Sequence, residues 1–448
     1  MGTSALQSSE SIAGAVAEFA DSEPYRANQG PFVRANPYHR PLDTQRLAAI
    51  DWSRRLTEDQ FVSDDSLMAN RLLMNVYESD ALFLPRDGLH GKERAFDAFY
   101  SSRNRLLADQ VRTTAEDFAL GFLEDSVKVT GSWEADATLA HLERTIDEAV
   151  NADRPVLRSV ETAPENKRAA EMLIAQMALD GLTEATAMSQ NLGGAFGPEQ
   201  SELFKIFIDE FGYGVYAAKH STLFTDLCAS TDMSADAHHY WFFYLPTSIA
   251  VNNYFYTVTH NRTGFFRYIG AMALLEATFA PWFGALGKTL RAVYGDSVDL
   301  KYCDEHAHID QHHGRMAVHD LLMPLARKHG PMAARGLIRG VEEIRLLGAL
   351  ADEDLMAQLK WRPTAEKSDL STVDTKDVVD LTAATPFETR VAERDCAVNV
   401  LSGRVDLHWR ATGEPLTLTE GEAVRVPGGR LYGVRSEVDT TIAVSDIR

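Results

Sequence analysis

Cysteine is scarce in this chain. Three in 448 residues, Cys228, Cys303 and Cys396, are far apart, odd in number and free of any Cys-x-x-Cys spacing. That pattern excludes a disulfide framework and a thiolate zinc site, and it predicts a reducing, cytoplasmic compartment. Positive charge is also short. Forty-four Lys and Arg stand against 65 Asp and Glu, a net charge of −21, and such a field repels nucleic acid and anionic lipid. Neither a nucleic-acid partner nor a membrane is expected. The first thirty residues carry acids where an export signal has bases, and Leu6 breaks the myristoylation pattern. No export or anchoring signal is expected. Internal repeats and low-complexity tracts are absent as well.

What remains is an ordinary globular composition, 45% hydrophobic and 24% charged. The length leaves room for two or three domains at roughly 100–200 residues each. One apolar run, Tyr268–Gly287, contains a single charge, Glu276. Its length could nominally span a bilayer, but a carboxylate at mid-span and Pro281 soon after predict a buried helix of a soluble protein.

The patterning divides the chain into a mainly α protein with a C-terminal β domain. Residues 1–125 read as amphipathic helices, a packing or dimerisation domain that implies a homodimer. Helical periodicity continues over 126–362, where ten of the fourteen histidines fall between His220 and His329. That concentration marks the middle domain as the place of chemistry. After a linker at 363–379, residues 380–448 alternate with period two between Ser-Gly, Glu-Gly and Gly-Gly turns. Antiparallel β structure follows, expected as a small barrel or jelly roll.

Four helical segments carry candidate ligands. At about 100° per residue, Asp310 lies near +40° and His313 near −20° from His306, so the three share a helix face; His308 and His312 point away. Two imidazoles and a carboxylate on one face suit iron, manganese or zinc. Glu184 falls on the apolar stripe of Leu173, Met177 and Met188, where an unpaired carboxylate is costly. Glu210 sits in IFIDEFGYG and His220 follows ten residues later. On an ideal helix those two would diverge by about 80°, so their convergence needs an unwound turn at Gly212-x-Gly214. Glu276 completes the set. Three Glu, one Asp and three His over four apolar helices are the inventory of a carboxylate-bridged di-iron centre in a helical bundle.

The order Glu, then Glu-x-Gly-x-Gly leading to His, then His-x-x-x-Asp-x-x-His resembles the haem-oxygenase-like di-iron oxidases and oxygenases. Over its whole length the chain resembles the three-domain N-oxygenases of the streptozotocin-pathway type, which join a helical dimerisation domain, a di-iron domain and a C-terminal cupin. The resemblance implies Glu184, Glu210, His220, Glu276, His306, Asp310 and His313 as metal ligands, Glu276 being the extra carboxylate of the N-oxygenases. It further implies two non-haem Fe(II)/Fe(III) ions, O2 as cosubstrate, an external reductant with its electron donor, and a small nitrogenous substrate. The expected reaction is N-oxygenation, to a hydroxylamine or as far as nitro, of a guanidine, amine or 2-aminoimidazole in natural-product (antibiotic) biosynthesis. The alternative is a di-iron oxidase that desaturates or fragments a carbon chain.

The C-terminal domain departs from that pattern. Gly421, Pro427 and Gly429 fit the second cupin motif, yet Tyr432 stands where its histidine belongs. FETRVAERDC holds no histidine, and His408 is the only imidazole of the domain. A cupin-like domain without metal is expected, and with it no N–N bond formation, which the resemblance assigns to cupin iron.

Overall fold

The structure, a computed structural model, describes residues 9–26, 36–368 and 377–447. Residues 369–376, half of the expected linker, lie outside the described residues, as do 1–8 and 27–35 of the N-terminal segment. Packing groups the chain into two compact units, where the sequence predicts three consecutive domains. One unit joins Met1–Phe122, Asp236–Ile249 and Asp354–Arg448; the other joins Leu123–Ala235 and Ala250–Glu353.

In the first unit, the longest helices of the N-terminal segment are α1 (Ser9–Ala20), α2 (Asp64–Glu78) and α3 (Ser102–Leu120). Serine caps start two of them: Ser63 accepts from Ser66 N–H at 3.1 Å and Ser101 from Asn104 N–H at 3.1 Å, satisfying amides that the helix cannot. Helix α2 holds the β segment directly. Arg71 donates to Thr389 Oγ1 at 2.7 Å, and Asp64 accepts from Val391 N–H at 2.9 Å. These two contacts are one reason the N-terminal and C-terminal segments share a unit.

The second unit is helical: α4 (Ala135–Asn151), α5 (Asn166–Gly181), α6 (Pro198–Glu210), α7 (His220–Ser230), α8 (Pro246–His260), α9 (Phe265–Tyr294), α10 (Lys301–Arg315) and α11 (Met323–Lys360). Helices α8 and α11 each run past the boundary of the unit. The apolar run is the body of α9, and half of its most apolar stretch is buried in the protein. It is a core helix. Glycines set how closely its neighbours approach. A Cβ on Gly314 of α10 would lie 2.7 Å from Ala277 Cα, and one on Gly270 would lie 1.9 Å from Leu337 O. Glu343 of α11 is fully buried and receives the Arg267 guanidinium of α9 at 2.8 and 2.9 Å, with Arg339 at 2.7 Å. Between α10 and α11 the chain makes a wide π turn over Met316–Leu322, a local irregularity often found beside functional residues.

Among the described residues, the C-terminal segment has nine strands: β1 (Glu366–Lys367), β2 (Val378–Leu381), β3 (Thr389–Val391), β4 (Cys396–Ser402), β5 (Arg404–His408), β6 (Leu416–Thr419), β7 (Glu422–Val426), β8 (Leu431–Arg435) and β9 (Thr440–Asp446). They form two antiparallel sheets, ordered β1-β7-β4-β9-β2 and β3-β8-β5-β6. Alternating residues Val398, Val400, Val405, Leu407 and Leu418 pack with Trp361 between them. Of the small barrel or jelly roll expected, the described strands make two antiparallel sheets and no closed barrel. Edge strands of two to four residues leave each sheet open, because so short a strand offers too few amides to bond a further neighbour.

Candidate metal centre

Helix α6 opens with Pro198 at its first position after Gly197 (φ +97°), and it ends at Glu210. It ends there because Gly212, Tyr213 and Gly214 all take left-handed backbone, φ +58°, +51° and +81°. Only glycine serves at Gly212, where a Cβ would fall 2.5 Å from the Ala218 carbonyl carbon. The reversal returns the chain to His220, the first residue of α7, whose Nδ1 lies 2.6 Å from Glu210 Oε2. Without it the pair would stay apart.

Glu184 reaches the same place by another route than the helical stripe predicts. Helix α5 stops at Gly181, and Glu184 sits in the following turn, where Ala185 has φ +63°. Its Oε1 is 3.1 Å from His306 Nε2 and accepts from Tyr302 O–H at 3.2 Å. His306 Nδ1–H donates to the Tyr302 carbonyl at 2.8 Å. That bond leaves Nε2 as the free nitrogen, and Phe283 stacks on the ring at 4.2 Å. Glu184, Glu210, His220 and His306 thus present ligand atoms within 4.8 Å of one another.

A second group shares Glu210 with the first. Glu210, Glu276 and His313 also bring ligand atoms within 4.8 Å. His313 Nδ1 lies 3.3 Å from Glu276 Oε2, 3.6 Å from Glu210 Oε1 and 3.5 Å from Asp310 Oδ1. Asp310 falls outside both tight groups, one turn before His313, with its carboxylate against the second. All seven expected residues therefore meet in one unit: six in two linked groups and Asp310 at the edge. His306, Asp310 and His313 are buried, while His308 and His312 on the opposite face are exposed.

Sequence reasoning misses one contributor. Asp209 accepts from His313 Nε2–H at 3.0 Å, so two adjacent acids grip opposite nitrogens of one imidazole. A carboxylate behind a histidine fixes its tautomer and raises its basicity. The only sequence signal is an acid beside Glu210, which is too common to single out.

The donor set fits metal ions. Glu184 Oε2, Asp310 Oδ2 and His313 Nδ1 are buried without a hydrogen bond, which is costly unless a cation satisfies them. The four carboxylates among the seven carry a negative charge that bound cations would balance. Burial pushes the Asp310 carboxyl up to about 7 and raises Glu210. Burial would lower the imidazoles, but Glu184 carries His306 to about 10, and Asp310 with Glu276 carries His313 to about 11. Metal must displace those protons, since only an unprotonated imidazole nitrogen binds it. Fe(II) affinity should therefore rise with pH from about 7 upward, through the range in which His306 and His313 still hold their protons, with proton release on binding, as read by anaerobic calorimetry in buffers of different ionisation heat. An affinity flat with pH would contradict this.

Residues 171–349, which contain all seven, match a haem-oxygenase-like family of iron-containing redox enzymes. The chain is also 37% identical over 441 residues to a nitrosourea synthase of Streptomyces achromogenes subsp. streptozoticus, covering 96% of this chain and 93% of that protein. This chain belongs to that family. It is an iron-dependent oxidoreductase with the haem-oxygenase-like helical domain, and the similarity runs through its β segment. The family is one of iron-containing enzymes, and the two linked groups are where this structure gathers residues that could hold a metal ion.

Proposed function

We propose that this chain is a di-iron N-oxygenase that uses O2 to hydroxylate, or further oxidise, a guanidine, amine or 2-aminoimidazole nitrogen in natural-product biosynthesis. The observation that carries this reading is Glu210, common to both ligand groups, so that it would serve two ions held there. Glu184, His220 and His306 would hold one ion; Glu276, Asp310 and His313 the other. When bound, the iron pair supplies activation of O2 with electrons from an external donor. The protein's own residues orient and dry the site. Tyr302 and Asp209 fix the two imidazoles, while Phe279 and Phe283 line its apolar side. Glu276 adds an anionic ligand from a helix otherwise without charge for twenty residues.

The curated relative is named for making a nitrosourea. We propose that this chain stops before N–N bond formation. Tyr432, in place of the cupin histidine, is buried in the β core against Cys396, and His408 packs edge-on to Phe387 at 5.3 Å. His408→Ala should leave iron content and product unchanged; a changed product would overturn the metal-free assignment. A homodimer through the N-terminal helices, an electron-donor partner and a cytoplasmic setting complete the proposal.

The test is anaerobic loading with Fe(II), then reductant, 18O2 and a panel of guanidines and amines, with products read by mass spectrometry. Label on a substrate nitrogen is expected. Label never on nitrogen, with a carbon-chain substrate desaturated instead, would replace this reading by the oxidase alternative.

A further inference from the structure

The ligand groups open onto a cavity of about 120 Å³, comparable with the ~150 Å³ space that admits one benzene ring. Its size suits one small planar group. Five of the candidate ligands line it: Glu184, Glu210, Glu276, His306 and Asp310. Their negative charge is answered by the metals. One further acid in the wall is not.

Asp180 lies in the last turn of α5, one turn before Glu184, and lines the same cavity. It belongs to neither ligand group. Its carboxylate has no hydrogen bond or ion pair to any described residue, and no lysine or arginine lines the cavity. On the wall formed by α8, Asn252 presents a second open group: its Nδ2 is buried without a partner. A buried amide donor without a partner favours a ligand that brings it an acceptor. Phe255, Tyr268 and Phe279 supply aromatic walls, which bind a flat cation by its face while a carboxylate takes its edge. A cavity built for a hydrocarbon chain would carry neither Asp180 nor Asn252.

Resting on the N-oxygenase reading, we propose that Asp180 is the substrate anchor of this site: its carboxylate receives two N–H groups of a guanidinium-type cation and turns the third nitrogen toward the metal groups. A bidentate carboxylate–guanidinium pair fixes orientation as well as position. Asn252 donates to an acceptor atom on the same molecule.

The test measures binding without turnover, using Fe(II)-loaded protein free of oxygen, with methylguanidinium and its neutral isostere methylurea as probes. The native protein should bind methylguanidinium the more tightly. Asp180→Asn should weaken methylguanidinium binding at least tenfold, leave methylurea binding unchanged and keep the iron content of the native protein, and Asp180→Glu should restore part of the preference. Equal affinity of Asp180→Asn and native protein for methylguanidinium would overturn the proposal. So would loss of iron in Asp180→Asn, which would make Asp180 a ligand. Because no oxygen is present, this outcome is independent of where 18O appears: a cation preference that follows Asp180 stands even if nitrogen is never labelled.

Discussion

Glu210→Ala should empty the metal centre in one step. Glu210 is the one carboxylate in both ligand groups, 2.6 Å from His220 Nδ1 and 3.6 Å from His313 Nδ1. In the proposed di-iron reading its removal would take a ligand from both groups at once. Iron should fall from about two per chain to near none, and O2-dependent activity should go with it. The fold should survive, because Glu210 is a poorly compensated buried acid: burial raises its carboxyl in the metal-free protein. Removing such a group relieves desolvation as well as losing contacts. His313→Ala, confined to the second group, should lose less iron. Iron analysis beside far-ultraviolet circular dichroism checks both variants. Full iron retention in Glu210→Ala would refute the shared-ligand assignment.

The second large effect concerns a residue that touches no metal. Gly314 follows His313, and any Cβ there meets Ala277 Cα at 2.7 Å and the Glu276 carbonyl at 3.0 Å. The absent side chain lets α10 lie against α9 closely enough for Glu276 to reach within 3.3 Å of His313. Gly314→Val forces the helices apart, at an overpacking cost of about 1–3 kcal/mol. The melting temperature should drop by several degrees, and the second ligand group should lose its ion while the first keeps one. Gly348 of α11 is the control. Nothing lies within 4 Å of a Cβ there, so Gly348→Ala should gain up to about 1 kcal/mol from helix propensity with iron unchanged. Equal behaviour of the two variants would show that the α9–α10 approach does not shape the site.

Much of the centre is legible in the sequence, for identifiable reasons. His306, Asp310 and His313 can be picked from the neighbouring histidines because 3.6-residue periodicity assigns them one face, and burial follows that face. Glu276 stands out as one charge in an apolar run. The Gly-Tyr-Gly interruption signals a reversal because glycine tolerates φ above zero, and the reversal is there at φ +58° and +81°. Glu184 is instructive in another way. It is identified by extending a helix that in fact stops at Gly181, yet it is placed in the site by the turn that replaces the helix.

What the sequence alone determined is the set of residue types, their spacing along each helix and the faces on which they lie, since these depend on neighbours within a turn or two. The tertiary structure decided the rest. Which end of His313 meets Glu210 and which meets Asp209, how the seven residues divide around Glu210, and that the N-terminal helices and the β segment share a unit all depend on contacts between residues tens to hundreds of positions apart. Such pairings are set by close packing of whole elements, as at Gly314 against Ala277, and local periodicity carries no record of them.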